Sequence, residues 1–423
     1  MALKRVEIRL KDNRNFQGVL LPEVNGKLTL KLSSGYNIIL DKKEIKSIRT
    51  IQQLTEKKIE SKSYTETKSL PTISILHTGG TIASRVSYET GGVSSQFSPE
   101  DLIEIYPELK RIANIKSRLI QNMWSDDLRF KHFEILAKAI EKEIKNGVKG
   151  IIIGMGTDNL TVASAALSFI IENPPIPILF VGAQRSSDRG SSDAALNLIS
   201  AAKFIVKSDF QGVAVCMHGS ASDNYCLILP PTKTKKLHTS RRDAFKPVND
   251  NAIAKIYGES ITFFKKHEKN DKKMIIRPKM EENVGLIKIT INMNPKQFEF
   301  FKRYKGLIIE GTGLGHTPGD VVDKHTKIHD KIIKAIKNLT KSCVVVMTST
   351  CLYGRVNMNV YSKGHKLQDA GIIGNLTDML PETAFVKLAW LLGNYKKEEV
   401  KELMCKNLRG EISNCSSEEW EST

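Results

Sequence analysis

From Thr72 onward, short apolar runs alternate with helical stretches, and this alternation restricts the chain to the α/β class. The runs Ile73–His77, Gly150–Gly154, Ile176–Val181 and Gly212–Met217 are separated by helical patterns at Pro99–Tyr106, Asp127–Lys145, Asn159–Ile171 and Ser192–Val206. Strands that alternate with helices form a mostly parallel sheet covered on both faces. Ser98-Pro99-Glu100-Asp101 places a cap, a proline and two acids where one of these helices begins. Two of the apolar runs end in glycine turns that carry threonines, Thr78-Gly79-Gly80-Thr81 and Gly156-Thr157-Asp158. In an open α/β sheet the carboxyl ends of the strands line the ligand crevice, so both hydroxyls are expected to face one pocket.

Ahead of this region, residues 1–55 read as five short strands, Val6–Leu10, Phe16–Pro22, Leu28–Leu32, Tyr36–Leu40 and Ile45–Thr50, separated by Asp12-Asn13, Asn25-Gly26 and Ser33-Ser34-Gly35. They predict a small β-barrel domain. Residues 56–71 read as a polar linker, 72–265 as the larger α/β domain, 266–283 as an interdomain connection and 284–412 as a smaller α/β domain. The smaller domain has predicted strands at Val284–Ile289, Gly306–Glu310 and Val344–Thr348, with helices near Asp323–Asn338 and Pro381–Gly393. Residues 413–423 form a polar tail.

Hydrophobic content of 40% and charged content of 26% describe a globular chain. No apolar run approaches the ~18 residues of a membrane span, and the opening Met-Ala-Leu-Lys-Arg-Val-Glu lacks the apolar centre of a signal peptide. The expected location is the cytoplasm, with no membrane partner. Cys216, Cys226, Cys343, Cys351, Cys405 and Cys415 include no Cys-x-x-Cys pair, so they are expected to be reduced and mostly buried, with no metal site. The 64 basic and 46 acidic residues leave a formal net charge of +18, which suits a polyanionic partner as well as a lysine-biased composition.

The residues that can carry chemistry are Thr81, Thr157, Asp158 and a lysine cluster at Lys233, Lys235 and Lys236. A threonine hydroxyl attacks a carbonyl only with a base beside it and donors for the developing oxyanion. A neutral lysine oriented by a carboxylate meets the first need, and backbone N–H groups freed by glycine turns meet the second. The plainer readings are turn chemistry for Thr78–Thr81, an N-cap for Gly156–Asp158 and a solvated surface for the lysines.

Taken in order, Gly-Gly-Thr-Ile-Ala at 79–83, Gly-Thr-Asp at 156–158, Gly182-Ala183-Gln184-Arg185 with Asp193 and Asn197-Leu198, and Lys236 followed nine positions later by Phe245 resemble the L-asparaginase family. The resemblance covers about Thr72 to Gly410. It implies a two-domain fold, with Thr81 as the family's nucleophilic threonine, Thr157 as its second threonine, and Asp158 and Lys236 as the carboxylate and base paired with it. It also places Tyr88, Gln121 and Gly156 at the substrate. Which threonine attacks is left open.

The strand-rich start, with Phe16-Gln17-Gly18-Val19 and Leu28-Thr29-Leu30-Lys31-Leu32, goes further. With His238-Thr239-Ser240-Arg241-Arg242-Asp243, Cys351–Tyr361 and Leu380-Pro381-Glu382-Thr383-Ala384, it is similar to the D subunits of the archaeal glutamyl-tRNA(Gln) amidotransferase family. That resemblance implies a glutaminase whose ammonia passes to a partner subunit carrying the ATP, Mg and tRNA sites. It implies no cofactor in this chain and tRNA contact mostly through the partner, with a homodimer core in a heterotetramer. Two departures stand out. Met155 and Asn159 flank Gly156-Thr157-Asp158 where the family usually has His and Thr, and Ile120 stands where a serine usually precedes the segment matching Gln121-Asn122-Met123. The alternatives are a free-standing L-asparaginase and a non-catalytic RNA-binding or scaffolding protein.

Several features have plainer expected roles. His77 is expected to be a core or rim histidine, and Trp124 and Tyr106 core or interface anchors. Gly311-Thr312-Gly313-Leu314-Gly315 lacks the lysine that completes a phosphate loop, so it is expected to be a turn near the active site or a subunit neighbour. The segment Ser186–Asp193 is expected either to cap the following helix or to contact substrate.

Overall fold

The computed structural model describes residues 3–21, 23, 26–33, 36–54, 66–80, 85–86, 93–94, 99–185, 187, 191–266, 269 and 271–415. Strands at Leu3–Leu10, Asn15–Leu20, Lys27–Leu32, Asn37–Asp41 and Ile45–Leu54 form an antiparallel sheet. Val6, Ile8 and Leu10 alternate onto its buried face with Leu28, Leu30 and Leu40, as the two-residue period of a strand demands. The five strands expected of a barrel are present, but the outer two, Asn37–Asp41 and Ile45–Leu54, share no ladder among the described residues. A three-residue 3-10 turn at Lys42–Glu44 joins them end to end.

The main sheet has eight strands in the spatial order Ser260–Phe263, Ala254–Tyr257, Tyr225–Leu229, Gly212–His218, Pro177–Val181, Gly150–Gly154, Thr72–His77 and Asn114–Leu119. The last five in that order run parallel, and the other three extend the sheet antiparallel. Every residue of Gly150–Gly154 is buried. Ile151 and Ile153 enter the core on one face and Ile152 the core on the other, which is why this strand reads as an unbroken apolar run.

Helices cover both faces. Phe133, Leu136, Ala137 and Ile140 form the buried stripe of the helix Phe130–Lys145, at the spacing of one helical face. The helix Leu160–Ile170 is buried nearly all round, because the helix Pro381–Asn394 of the C-terminal region packs on it, with Phe169 and Trp390 rings stacked at 5.7 Å. Ala194–Lys207 covers the opposite face. In the C-terminal region, Val284–Lys288, Gly306–Gly311 and Val344–Ser349 form a parallel sheet, backed by the helix Ile328–Thr340.

The topology locates the crevice. Thr72–His77 pairs with Asn114–Leu119 on one side and Gly150–Gly154 on the other, so the chain leaves the first strand in one direction and returns on its far side. This reversal is a topological switch point, where the loops at the strands' carboxyl ends part and open a crevice. Both threonine turns of the sequence begin there. Among the described residues, no helix is long and apolar enough to cross a membrane.

Candidate active site

The two glycine turns approach each other closely. Thr78 N–H donates to Gly154 O at 2.9 Å, extending the ladder past the strand end. Gly79 and Gly80 have φ of +103° and +85°, and a Cβ on Gly80 would lie 2.3 Å from Gly156 N. A side chain at Gly80 is excluded by both conformation and space. On the other side, a Cβ on Gly182 would lie 2.8 Å from Thr157 Cγ2. Thr157 therefore sits in a slot between the ends of neighbouring strands. Thr81 and Tyr88 lie outside the described residues.

Lys236 reaches this slot from the ribbon formed by Thr234–Lys236 and Phe245–Pro247. Its Nζ donates to Thr157 Oγ1 at 2.9 Å and to Asp158 Oδ1 at 2.6 Å. The lysine side chain is 13% exposed and the aspartate 63%, so the amine nitrogen is held inside while the carboxylate faces solvent. The N-cap reading for Gly-Thr-Asp gives way, because the helix Leu160–Ile170 is preceded by Asn159 and Asp158 is committed to the lysine.

Asn159 also explains the departure at that position. Its amide donates to Ser125 O and Asp126 Oδ1, both at 3.1 Å, and its backbone N–H to Ser125 Oγ at 3.3 Å. The side chain that replaces the usual threonine thus ties the Thr157 turn to the segment Trp124–Asp127. Gln121 takes a different course. Its Nε2 meets His132 O at 3.5 Å, so it leans on the start of the helix Phe130–Lys145. Trp124, expected as a core or interface anchor, is 66% exposed, whereas Tyr106 is in the core.

Behind the slot, Asn197 donates to Gly182 O at 3.0 Å and accepts from the His218 ring at 2.6 Å. Asp193 accepts from the backbone N–H groups of Gln184 and Arg185, both at 2.9 Å. In the described part of 186–193, Ser192 Oγ accepts from Ala194 N–H at 3.2 Å and donates to Arg185 O at 2.8 Å, while Asp193, at the N-cap of the helix, makes no side-chain cap bond. His218 continues to Asp223 and that to Arg242, at 3.1 and 2.7 Å. These bonds fix the loop that backs Thr157.

The remaining features fall into place. His77 is buried with its Nε2 3.0 Å from Ser117 Oγ, and burial pushes its pKa down to about 4, so it is a neutral rim residue. The loop 311–315 closes on itself through Thr312 N–H to His316 O and Gly315 N–H to Thr312 O, both at 3.0 Å, so these amides are not offered to a phosphate. Cys216, Cys226 and Cys343 are buried, but Cys351, Cys405 and Cys415 are exposed, against the expectation of mostly buried thiols. Lys233, expected with its neighbours to be solvated, is fully buried and paired with Asp378 at 2.7 Å. Two signals in the sequence point to these contacts once the fold is known. The Ser-Asp-Asp after Trp124 marks a turn that can hold Asn159. The alternation Lys233, Lys235 against Thr234, Lys236 lies between apolar neighbours Leu229 and Phe245, so one of its faces had to be buried.

Comparison with known proteins gives the family. Residues 72–269 match the family model "Asparaginase, N-terminal" and residues 283–404 "Glutaminase/Asparaginase C-terminal domain". The curated D subunit of glutamyl-tRNA(Gln) amidotransferase from Pyrococcus furiosus is 43% identical over 410 residues, covering 94% of this chain and 91% of that one. A Methanococcus maripaludis protein of the same name is 44% identical, covering 95% and 96%. The chain belongs to the family of glutamyl-tRNA(Gln) amidotransferase D subunits. Coverage that high includes residues ahead of Thr72, so these amidotransferase relatives share part of the N-terminal segment as well as the asparaginase-like core. Among solved structures, the thermostable L-asparaginase of Thermococcus kodakarensis matches with a TM-score of 0.73 and 30% identity. All of that chain is matched by 81% of this amidotransferase family member. An L-asparaginase I of Vibrio cholerae matches with a TM-score of 0.69 and 25% identity, over 82% of this chain and 100% of that one.

Proposed function

We propose that this chain is the glutamine-hydrolysing subunit of a tRNA-dependent amidotransferase. It releases ammonia with which a partner subunit converts Glu-tRNA(Gln) to Gln-tRNA(Gln). The observation that carries the reading is Lys236 Nζ held at 2.9 Å from Thr157 Oγ1 and 2.6 Å from Asp158 at the switch point, in a chain similar over 94% of its length to an amidotransferase D subunit.

In the proposed mechanism the hydroxyl of Thr81 attacks the side-chain amide carbon of glutamine, forming a C–O bond. Its proton passes through Thr157 to a neutral Lys236, which Asp158 orients. Collapse breaks the C–N bond, and the departing nitrogen takes that proton and leaves as ammonia. Water then cleaves the acyl ester, giving glutamate and free threonine. Backbone N–H groups of the glycine turns stabilise the oxyanion. The chain itself needs no cofactor for these steps. ATP and Mg belong to the partner, which also makes most of the tRNA contact, and the assembly is a homodimer core within a heterotetramer in the cytoplasm.

The test is ammonia release from glutamine and from asparagine, with and without partner subunit, ATP, Mg and mischarged tRNA. Glutamine hydrolysis that rises with partner and tRNA supports the reading. Fast asparagine hydrolysis by the chain alone makes it a free-standing asparaginase instead. Tight, salt-sensitive tRNA binding with no amide hydrolysis makes it an RNA-binding protein.

A further inference from the structure

The strand that carries Lys236 is anchored in the C-terminal domain. Lys233 is fully buried and pairs with Asp378 Oδ2 at 2.7 Å, and Asp378 Oδ1 accepts from Ser413 N–H at 2.9 Å. Lys235 pairs with Glu382 at 2.6 Å, and Thr383 Oγ1 donates to Thr232 O at 2.9 Å. Asn249, just beyond the partner strand, donates to the carbonyls of Leu352 and Gly354 at 3.3 and 3.2 Å. Lys233 and Lys235 thus face the C-terminal domain, and Lys236, on the other side of the strand, faces Thr157.

The ribbon of Thr234–Lys236 and Phe245–Pro247 has two short strands and no ladder to another sheet among the described residues. Such a ribbon is marginal on its own and takes its orientation from what it is fastened to. Toward the larger domain the fastenings include Lys236 itself and Lys246 Nζ on Gly219 O at 3.1 Å. The deepest charge contact is with the other domain. Burial pulls the Lys233 pKa down while Asp378 beside it opposes the fall. An isolated charge at this depth is costly, so the ammonium is strongly confined to its carboxylate.

We infer that the buried Lys233–Asp378 pair is a positioning device, setting the distance of Lys236 from Thr157 through the short strand that follows Lys233, so that the C-terminal domain governs proton transfer without touching substrate. The inference rests on the proposed amide hydrolysis. It makes Lys233 and Asp378 positioning residues, with Lys235–Glu382 as a weaker second fastening.

The test replaces the pair by apolar residues, Lys233→Met with Asp378→Leu, in the full-length chain. Apolar replacement of a buried ion pair usually preserves folding. Misplacement by about 1 Å costs on the order of a hundredfold in rate, so kcat for glutamine is expected to fall about 10- to 100-fold with KM within about twofold. The 15N resonance of Lys236 Nζ, assigned by its loss in Lys236→Arg, is expected to move. Wild-type kcat and an unmoved resonance in the folded double variant overturn the inference. Should that variant not fold, Glu382→Gln, at a partly exposed pair, serves in its place. There about a threefold loss of kcat and a moved resonance support the inference, and no change in either overturns it. If the wild type hydrolyses neither amide, the functional reading falls, while the Lys236 resonance still decides the positioning.

Discussion

Lys236 Nζ lies 2.9 Å from Thr157 Oγ1 across 79 positions of sequence. A lysine that accepts a proton from a threonine differs from one that merely steadies it, and the difference is testable. Lys236→Met is expected to lower kcat for ammonia release by about 10² to 10⁴-fold, the usual contribution of a general base. Lys236→Arg is expected to restore none of it, because a guanidinium keeps the charge but does not give up its proton near neutral pH. Activity regained with arginine would reassign the residue to electrostatic support.

Gly182 supplies a subtler test of the slot around Thr157. A methyl group there would lie 2.8 Å from Thr157 Cγ2, and Gly182 has no positive φ to strain. Gly182→Ala is therefore expected to fold and to push the threonine a few tenths of an ångström from Lys236. Steady-state kinetics should show kcat down about tenfold or more, with a melting temperature within a few degrees of wild type. Gly80→Ala is the contrasting case. Its φ of +85° and the 2.3 Å approach to Gly156 N predict loss of folding, measured as loss of the cooperative thermal transition.

The parts of this site that were legible in the sequence share a cause. Strand ends such as Gly150–Gly154 are buried on both faces, so apolar runs and their glycine exits announce them. Asn114–Leu119, at the edge of the same sheet, is only half buried and reads as neither run nor alternation. Two of the antiparallel strands beyond Gly212–His218, Ala254–Tyr257 and Ser260–Phe263, are hidden for a related reason, since polar residues interrupt them. The lysines show the limit best. Local pattern gives Lys233 and Lys236 the same environment, yet one pairs with a residue 145 positions ahead and the other with one 78 positions behind. Composition carries no record of such long-range partners.

His77 predicts a pH dependence of stability. Burial holds its pKa at about 4, against an ordinary value of 6.5, and its Nδ1 has no partner among the described residues. Between those values the unfolded chain binds a proton that the folded chain refuses. The stability is complete above pH 6.5 and is lost as pH falls toward 4, by about 3 kcal/mol for this group. Urea unfolding of His77→Phe at several pH values should show a shallower acid slope than wild type by about that amount. An equal slope would assign the acid sensitivity to other groups.

The second buried pair, Lys387 with Glu411 at 2.6 Å, differs from Lys233–Asp378 in degree, because its carboxylate holds two backbone N–H groups where Asp378 holds the one of Ser413. Glu411 accepts from the N–H groups of Leu408 and Arg409 at 2.9 and 2.6 Å, and Lys387 Nζ donates to the carbonyls of Met404 and Lys406 at 3.1 and 2.6 Å. The pair fastens the chain after the helix Lys397–Met404. Lys387→Met leaves a buried carboxylate without its counter-charge and is expected to cost about 3 to 5 kcal/mol in urea unfolding. Adding Glu411→Leu removes that charge but orphans the two amides, so the double variant is expected to stay about 2 kcal/mol or more below wild type. Ammonia release per folded molecule should be unchanged in both, since neither residue contacts Thr157, Asp158 or Lys236. A double variant as stable as wild type would show that these amides find water or another acceptor, and that the carboxylate serves the lysine alone.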